Sequence, residues 1–519
     1  MGAARAEQTG ETRGWGRLTW WIAAAAMVVL GFGLRAAFYH GGYGHPDETI
    51  TVEVVRHMRQ SGDLDTNWAK APTLGTDLRY DQYNFSSHLY ATYWFYRFVK
   101  LVPGTLGWRS EDEGFWVYRF FSVLLATLVV GQAMRLAERN GGRTAALGAG
   151  LLTAGAVQLV QDAHYSRPEA FVTALTMALV AIGWPREKLS LPAVAGAALT
   201  VGLLVACKVS MALLAWLPLV PVFAAWRGLS GRVRGWALVI VPVGGLVGFA
   251  AGAPGAVANP AAFVNGIEFL MNQYAGLHPP HSHLNGGRVA DMVGAYYVAT
   301  LGWPLLACGA VGVGVLAGRR RWAELALVLG PVVLFAGYFA TRTVFFERNL
   351  SHVLPLFLVL AAVGAAATVE AIGRRVRAPG WARAVAASAV FAVCAAPGLR
   401  LTAPLLAEEF SGAGSDRHMA FEAALKQRYP GEEWKEVSLL NDGPLIELAA
   451  RLQADRRPVL LRITDFNDEW NAYNLSLFAA RFDAKLVADY PGNFSRVPGC
   501  TLHTYHSPHD WYYWVTGLR

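Results

Sequence analysis

Long apolar segments alternate with short polar stretches along the first three quarters of the chain. A helix needs about 20 apolar residues to cross the hydrocarbon layer of a bilayer, which is about 30 Å thick. Eleven segments approach or exceed that length. They are residues 18–40, 115–136, 144–161, 170–184, 191–206, 209–226, 236–253, 291–317, 322–340, 350–369 and 381–396. The pattern therefore predicts a polytopic α-helical membrane protein with about 11 spans.

Arginine and lysine residues predict how these spans are oriented. Three arginines precede the first span in the N-terminal arm, residues 1–17, and few positive charges follow that span. Because cytoplasmic flanks carry an excess of Lys and Arg, the arm is expected in the cytoplasm. The same rule places every dense arginine cluster inside if the aromatic-rich residues 84–102 lie in the membrane interface instead of crossing. Residues 41–114 and 254–290 then become external loops of a transmembrane domain at 18–398.

After residue 398 the composition changes to that of a soluble domain. Helical spacing predicts helices at 416–428 and 445–453, and short apolar runs predict strands at 437–440, 458–463 and 486–488. Residues 500–506 and 511–515 are expected to form a hairpin. Alternating strands and helices predict a small α/β domain at 399–519, and the span count places it outside the cytoplasm.

Composition and charge exclude several classes of protein. Hydrophobic residues make up 54% of the chain and charged residues only 16%, whereas about a quarter is charged in soluble globular domains. The net charge of +8 does not indicate a nucleic-acid partner, because the basic residues lie in short clusters between apolar segments. The four cysteines predict neither a disulfide framework nor a metal site.

Two adjacent carboxylates follow the first span in the sequence His45-Pro46-Asp47-Glu48. Ionised groups at a membrane boundary are costly unless they are solvated, paired or used, so Asp47 and Glu48 are candidates for function. The alternative is that they only cap the N-terminus of the next helix. Both can be true, because a helix N-terminus stabilises an ionised carboxylate.

Further polar residues are expected on the same external face, although they come from the ends of different spans. They are Asp162, His164, Arg167, Glu169, Lys208, Arg342, Glu347 and Arg348. Such a site suits a lipid phosphate, because guanidinium groups bind phosphate oxygens and a carboxylate can accept a proton from an attacking hydroxyl. For Lys208 or Arg348 alone, anchoring to phospholipid head groups is an equally good interpretation. Membrane lipid is therefore an expected partner in either case.

Three histidines lie in the second external loop, in the sequence His278-Pro279-Pro280-His281-Ser282-His283. They could bind a divalent metal ion, contact an acceptor, or belong to a solvated loop. The sequence leaves these alternatives open.

The order of these motifs resembles the GT-C superfamily of glycosyltransferases, and within it the branch of protein O-mannosyltransferases and lipid A aminoarabinose transferases. The resemblance covers residues 18–369. It is carried by His45-Pro46-Asp47-Glu48, by Arg119 at the start of the next span, by the loop Asp162 to Glu169, by Lys208 between two short helices, and by Phe346 to Leu350 before Leu354-Pro355.

The resemblance implies a polyprenyl-phosphate-linked sugar as donor and a lipid, glycan or protein acceptor, with inverting transfer on the external face of a bacterial inner membrane. Carried over by position, Asp47 would be the general base, with Glu48 assisting it and Asp162 as the second acidic residue. Arg348 would lie near the donor phosphate. Many relatives have Arg-Tyr-Leu-Leu-Pro where this chain has Arg348-Asn349-Leu350, with the proline delayed to Pro355.

The remaining site residues are assigned by sidedness. Lys208 and Arg167 are expected to help bind the donor phosphate, and His164 and Glu169 are accessory candidates. No cofactor is required, because the leaving phosphate is already a stable anion, and a divalent metal remains an open alternative.

Two rival functions come from other classes. A transporter or flippase for a lipid-linked substrate would place charges near the bilayer midplane and often shows internal repeats, whereas the acidic residues here are predicted at span ends. A non-catalytic scaffold or sensor would use the external domain as a ligand binder.

Overall fold

The computed structural model describes residues 16–37, 39, 46–75, 78–101, 114–272, 274, 289–342 and 346–408, together with five strands between 434 and 516. The candidate metal ligands His278, His281 and His283 lie outside these residues, as do the predicted helices at 416–428 and 445–453.

Helices make up most of the described chain. In order they are α1 Arg17–Ala36, α2 Pro46–Ser61, α3 Ser86–Leu101, α4 Gly114–Ala154, α5 Val157–Gln161, α6 Pro168–Ile182, α7 Leu191–Cys207, α8 Val220–Ala225, α9 Gly231–Gly252, α10 Pro254–Ala258, α11 Pro260–Asn272, α12 Val289–Gly318, α13 Trp322–Ala340, α14 Leu354–Arg375 and α15 Gly380–Glu408. Short 3₁₀ helices at Trp68–Lys70, Asp162–His164, Val209–Leu214, Leu217–Leu219, Trp226–Gly228 and Glu347–Leu350 connect some of them.

Eight helical segments among the described residues are long and apolar enough to cross a membrane. They are Arg17–Ala36, Trp116–Ala154, Val209–Gly228, Gly231–Gly252, Thr300–Gly318, Trp322–Ala340, Leu354–Arg375 and Gly380–Arg400. The helices α6 and α7 are apolar but shorter. A count of 11 would require that both short helices cross and that the 39-residue segment crosses twice, so that count stays a prediction.

Helix α4 is interrupted at Gly142, where φ is +77° and ψ is −170°. Only glycine adopts such a conformation without steric cost, because it has no Cβ. Carbonyl groups just before the break accept hydrogen bonds from the loop after α12: Arg319 donates to Asn140 O at 3.0 Å and Arg321 to Arg139 O at 3.2 Å. Arginines that indicated membrane sidedness in the sequence therefore also satisfy the end of a helix.

The helices pack through a large apolar core in which α14 is the most buried candidate span. Small residues allow close contact between neighbours. A Cβ on Gly202 of α7 would lie 2.1 Å from Gly245 O of α9, and a Cβ on Gly364 of α14 would lie 2.0 Å from Cys308 O of α12. Such contact between backbones is typical of membrane helices, whose association depends on packing.

The C-terminal strands β1 Trp434–Val437, β2 Leu460–Ile463, β3 Lys485–Ala488, β4 Thr501–His506 and β5 Trp511–Thr516 form one sheet in the order β1-β2-β5-β4-β3. Strands β4 and β5 pair antiparallel from Thr501↔Thr516 to His506↔Trp511, which confirms the predicted hairpin. The first strand begins three residues before the predicted start at Val437. That the sheet belongs to an external α/β domain stays a prediction.

Candidate active site

Helix α2 begins at Pro46, so Asp47 and Glu48 occupy its first turn. Proline at the first position has the backbone angle that a helix needs, and negative charge is favoured at this end of the helix dipole. The helix that the sequence predicted after these residues is therefore present, and both carboxylates lie in its first turn. The two side chains differ in exposure, because Glu48 is completely buried and Asp47 is partly exposed.

Glu48 is bound by two other segments of the chain. Arg119 of α4 binds it with both ends of its guanidinium group, at 2.9 Å from Nε to Oε1 and 2.7 Å from Nη2 to Oε2. The backbone N–H of Ser166 also donates to Oε1. Arg119 in turn donates to Tyr39 O at 3.2 Å. Glu48 thus fixes the positions of α2, α4 and the loop before α6.

A second group of charges lies on that loop. Asp162 Oδ1 accepts hydrogen bonds from Arg167 Nη2 and from Gln158 Nε2, both at 3.1 Å. Arg167 Nε lies 3.6 Å from Glu169 Oε2, and Lys208 Nζ donates to Glu169 Oε1. Arg167 is extended and Pro168 follows at the start of α6, which brings Glu169 into the first turn of that helix.

Asp47 pairs with a residue from a distant part of the chain. Arg348 Nη2 lies 3.1 Å from Asp47 Oδ2, and the two side chains are 14% and 24% exposed. Arg348 is on the 3₁₀ helix Glu347–Leu350, and its guanidinium group lies 4.6 Å from the ring centre of Phe346. The shifted proline of this segment therefore leaves Arg348 in contact with Asp47.

The three groups form one site, which we call the charge cluster. It contains the carboxylates Asp47, Glu48, Asp162 and Glu169 and the cations Arg119, Arg167, Lys208 and Arg348. Ser166 links Glu48 to the loop of Asp162, and Arg348 is close enough to Glu169 for its charge to act on that carboxylate. Each of the three cations predicted to bind the donor is already paired with a carboxylate.

Sequence reasoning missed two buried histidines beside the charge cluster, His88 of α3 and His352 just before α14. The charges of Glu169 and Lys208 act on both rings. A single histidine in an apolar segment is not a distinctive signal, and only the position of His352, four residues after Arg348, could have indicated it. His164 is also buried, on the 3₁₀ helix that contains Asp162. No group of three potential metal ligands occurs within the part of the chain that the structure describes.

An apolar crevice lies next to the charge cluster. It is lined by residues of α4, α12, α14 and α15, among them Leu301, Leu305, Leu358 and Ala395. Gln158 also lines it and donates to Asp162. Gln158 is therefore the contact between this small crevice and the charge cluster.

No protein-family model and no curated protein sequence matches the chain. Solved structures do. The crystal structure of ArnT from Cupriavidus metallidurans bound to undecaprenyl phosphate superimposes with a TM-score of 0.52 at 15% identity, over 96% of this chain and 98% of ArnT. An oligosaccharyltransferase from Archaeoglobus fulgidus, in the apo form, matches with a TM-score of 0.50 at 13% identity, over 81% of this chain and 62% of its own length.

Both matched proteins are GT-C glycosyltransferases. The likeness to ArnT extends over nearly the full length of both chains, and the described helices include eight that can cross a membrane. This chain is therefore a multi-pass membrane protein with the fold of the GT-C glycosyltransferases, the superfamily that its motifs resemble.

Proposed function

We propose that the chain is a membrane glycosyltransferase that moves a sugar from a polyprenyl-phosphate-linked donor to an acceptor hydroxyl on the extracytoplasmic face, with inversion. The observation that carries the proposal is the pairing of a partly exposed carboxylate, Asp47, with a partly exposed cation, Arg348, at 3.1 Å. The fold supports it, because ArnT has undecaprenyl phosphate bound in its crystal structure.

Exposure distinguishes the carboxylates of the charge cluster. The Asp47 side chain is 24% exposed, whereas those of Glu48, Asp162 and Glu169 are 1%, 2% and 3% exposed. A general base must come within hydrogen-bond distance of the hydroxyl from which it takes a proton. Asp47 is therefore the proposed base, and Glu48 and Asp162 hold the surrounding segments in position.

The same comparison separates the cations. Arg167 is completely buried between Asp162 and Glu169, so its proposed role is to hold the loop and not to contact the donor. Lys208 and Arg348 are 18% and 14% exposed and are the proposed contacts of the donor phosphate.

The reaction makes two demands on these residues. The acceptor oxygen attacks the anomeric carbon, the bond from that carbon to the phosphate oxygen breaks, and its electron pair stays on the phosphate. Asp47 takes the proton of the acceptor hydroxyl, and Lys208 and Arg348 stabilise the charge that develops on the phosphate. One displacement from the face opposite the phosphate inverts the anomeric centre.

The ion pair between Asp47 and Arg348 implies an order of binding. Arg348 contacts Oδ2, one of the two oxygens of Asp47, and we infer that the acceptor hydroxyl uses this same oxygen. When Arg348 turns to the donor phosphate, that oxygen becomes accessible. Donor binding should therefore precede productive binding of the acceptor.

The test is a transfer assay with purified protein in nanodiscs and a polyprenyl-phosphate-linked sugar. Asp47→Asn should lower turnover by roughly two to four orders of magnitude, because it removes the proton acceptor. Donor binding should stay intact, because the substitution also removes one negative charge near the donor phosphate. Asp63→Asn is the control, since this carboxylate pairs with Lys70 and is 43% exposed.

Near-normal transfer by Asp47→Asn would move the base to Asp162 or Glu169. A flippase, the alternative function, would leave the sugar on its lipid in both variants and in the wild type. Mass spectrometry of envelope glycans from cells with and without the gene would identify the sugar and the acceptor.

A further inference from the structure

His352 is a buried group beside the charge cluster that the proposed reaction does not use. It lies between the 3₁₀ helix Glu347–Leu350 and α14, and it is 4% exposed. Its ring packs edge-on against Phe335 of α13, with 4.2 Å between ring centres. Nε2 has no hydrogen-bond partner within the described residues. Buried polar atoms in native proteins nearly always have a partner, so this nitrogen is available for a contact with water or with a ligand.

The surroundings of His352 identify the chemistry of that ligand. The charged groups that act on its ring are Lys208, at the end of α7, and Glu169 of α6. Arg348 is four residues earlier on the same segment. Lys208 and Arg348 are the two cations proposed to contact the donor phosphate, so the phosphate would lie close to His352.

His88 is a weaker candidate for the same contact. Its Nε2 lies 3.3 Å from Thr92 Oγ1, which holds the ring by a local contact on α3. Its ring also packs against Phe171 of α6, with 5.9 Å between centres. Each ring has one buried nitrogen without a partner among the described residues, Nδ1 in His88 and Nε2 in His352, but only His352 is on the same segment as Arg348.

Charge balance indicates what His352 does when the donor arrives. The charge cluster, as described, has four carboxylates and four cations. A phosphodiester adds one negative charge, and an unbalanced charge is costly in a buried site. In the free protein His352 is neutral, because burial lowers its pKa to about 3. The positive charge of Lys208 also lowers this pKa, whereas the negative charge of Glu169 raises it. A phosphate anion in contact with the ring would favour the imidazolium form.

We propose that His352 is a donor-binding residue that donates a hydrogen bond from Nε2 to a phosphate oxygen and takes up one proton from the buffered solvent as the donor enters. The inference rests on the proposed function and adds a residue and a proton to it. Proton uptake restores the charge balance that the donor phosphate disturbs. The affinity for the donor should therefore rise as the pH falls.

The test is calorimetric titration of the full chain in nanodiscs with a short-chain polyprenyl phosphodiester of a sugar, in two buffers with different enthalpies of ionisation. A phosphodiester stays a monoanion between pH 5 and 8, so proton uptake reports on the protein. We expect the wild type to take up protons on binding and to lose about tenfold in affinity from pH 5 to pH 7; one linked proton allows at most tenfold per pH unit.

His352→Gln keeps a hydrogen-bonding side chain but does not titrate, so it should bind the phosphodiester more weakly, without proton uptake and with an affinity independent of pH. The control is His57→Gln, on α2 outside the charge cluster, which should behave as the wild type. Binding by the wild type without proton uptake would overturn the inference and leave the proposed function intact. Uptake that persists in His352→Gln would also overturn it. If the wild type binds no phosphodiester at any pH, both proposals fail.

Discussion

Replacing Glu48 by Gln should destabilise the protein strongly, although the change removes only a charge. The side chain would keep one acceptor oxygen but could no longer form the two short contacts with Arg119, at 2.9 and 2.7 Å. Both side chains are 1% exposed, so water cannot replace the lost partner. Arg119 would remain as an uncompensated buried charge.

The expected cost is about 3–5 kcal/mol, the range for removal of one partner of a buried ion pair. A matched control is available on the same helix. Arg56 and Glu53 are also 2.7 Å apart, but their side chains are 36% and 15% exposed. Glu53→Gln should cost about 1 kcal/mol or less, because solvent screens exposed pairs. The two substitutions differ in burial and not in the length of the contact.

A double-mutant cycle with Arg119→Met would measure the coupling. Each single variant should lose about 3–5 kcal/mol in the free energy of unfolding. This free energy is measured by titration with a denaturing detergent. The double variant should lose little more than either single one, because removing both charges leaves none unpaired. Additive losses, or a loss below about 1 kcal/mol for Glu48→Gln, would refute the assignment of Glu48 as the residue that joins α2, α4 and the loop before α6.

Three further predictions test other parts of the structure. Arg348→Ala should weaken donor binding on the order of 10- to 100-fold, whereas Arg374→Ala, at an exposed ion pair, should not change the dissociation constant of the donor. If both variants have the same dissociation constant, Arg348 is not part of the site. Gly202→Ala should lose about 1–3 kcal/mol or more in stability through overpacking against α9, while Gly235→Ala, which meets open space, should not; equal thermal stability would contradict the close contact. Alkaline phosphatase fused after Arg519 should be active in a bacterial host, and a cytoplasmic reporter active there instead would invert the predicted topology.

The helices were largely predictable because their signal is local. The predicted segment 322–340 coincides with α13, and 191–206 differs from α7 by one residue. The sequence predicted a boundary between two spans in residues 136–144, and the structure has an interruption of α4 at Gly142. The cause is the backbone conformation of this glycine and not the polarity of the segment. Apolar periodicity reports which residues avoid water and contains no information on such a break.

The site was predictable as a set of residues but not as a set of contacts. Sidedness brought Asp47, Glu48 and Asp162 to one face, and the structure has all three in one charge cluster. The sequence did not indicate that Glu48 would bind Arg119, 71 residues away, or that Arg348 would bind Asp47. Partners across such separations depend on how helices pack.

By itself the sequence determined that the chain is a helical membrane protein with acidic and basic residues gathered at one side, because hydrophobicity and charge act on each segment independently. Only the tertiary structure decided which carboxylate is accessible, which cations are already neutralised, and that His352 lies beside them with an unpaired nitrogen among the described residues. These properties depend on burial and on distances of a few ångströms between segments far apart in the chain, and a one-dimensional pattern does not specify either.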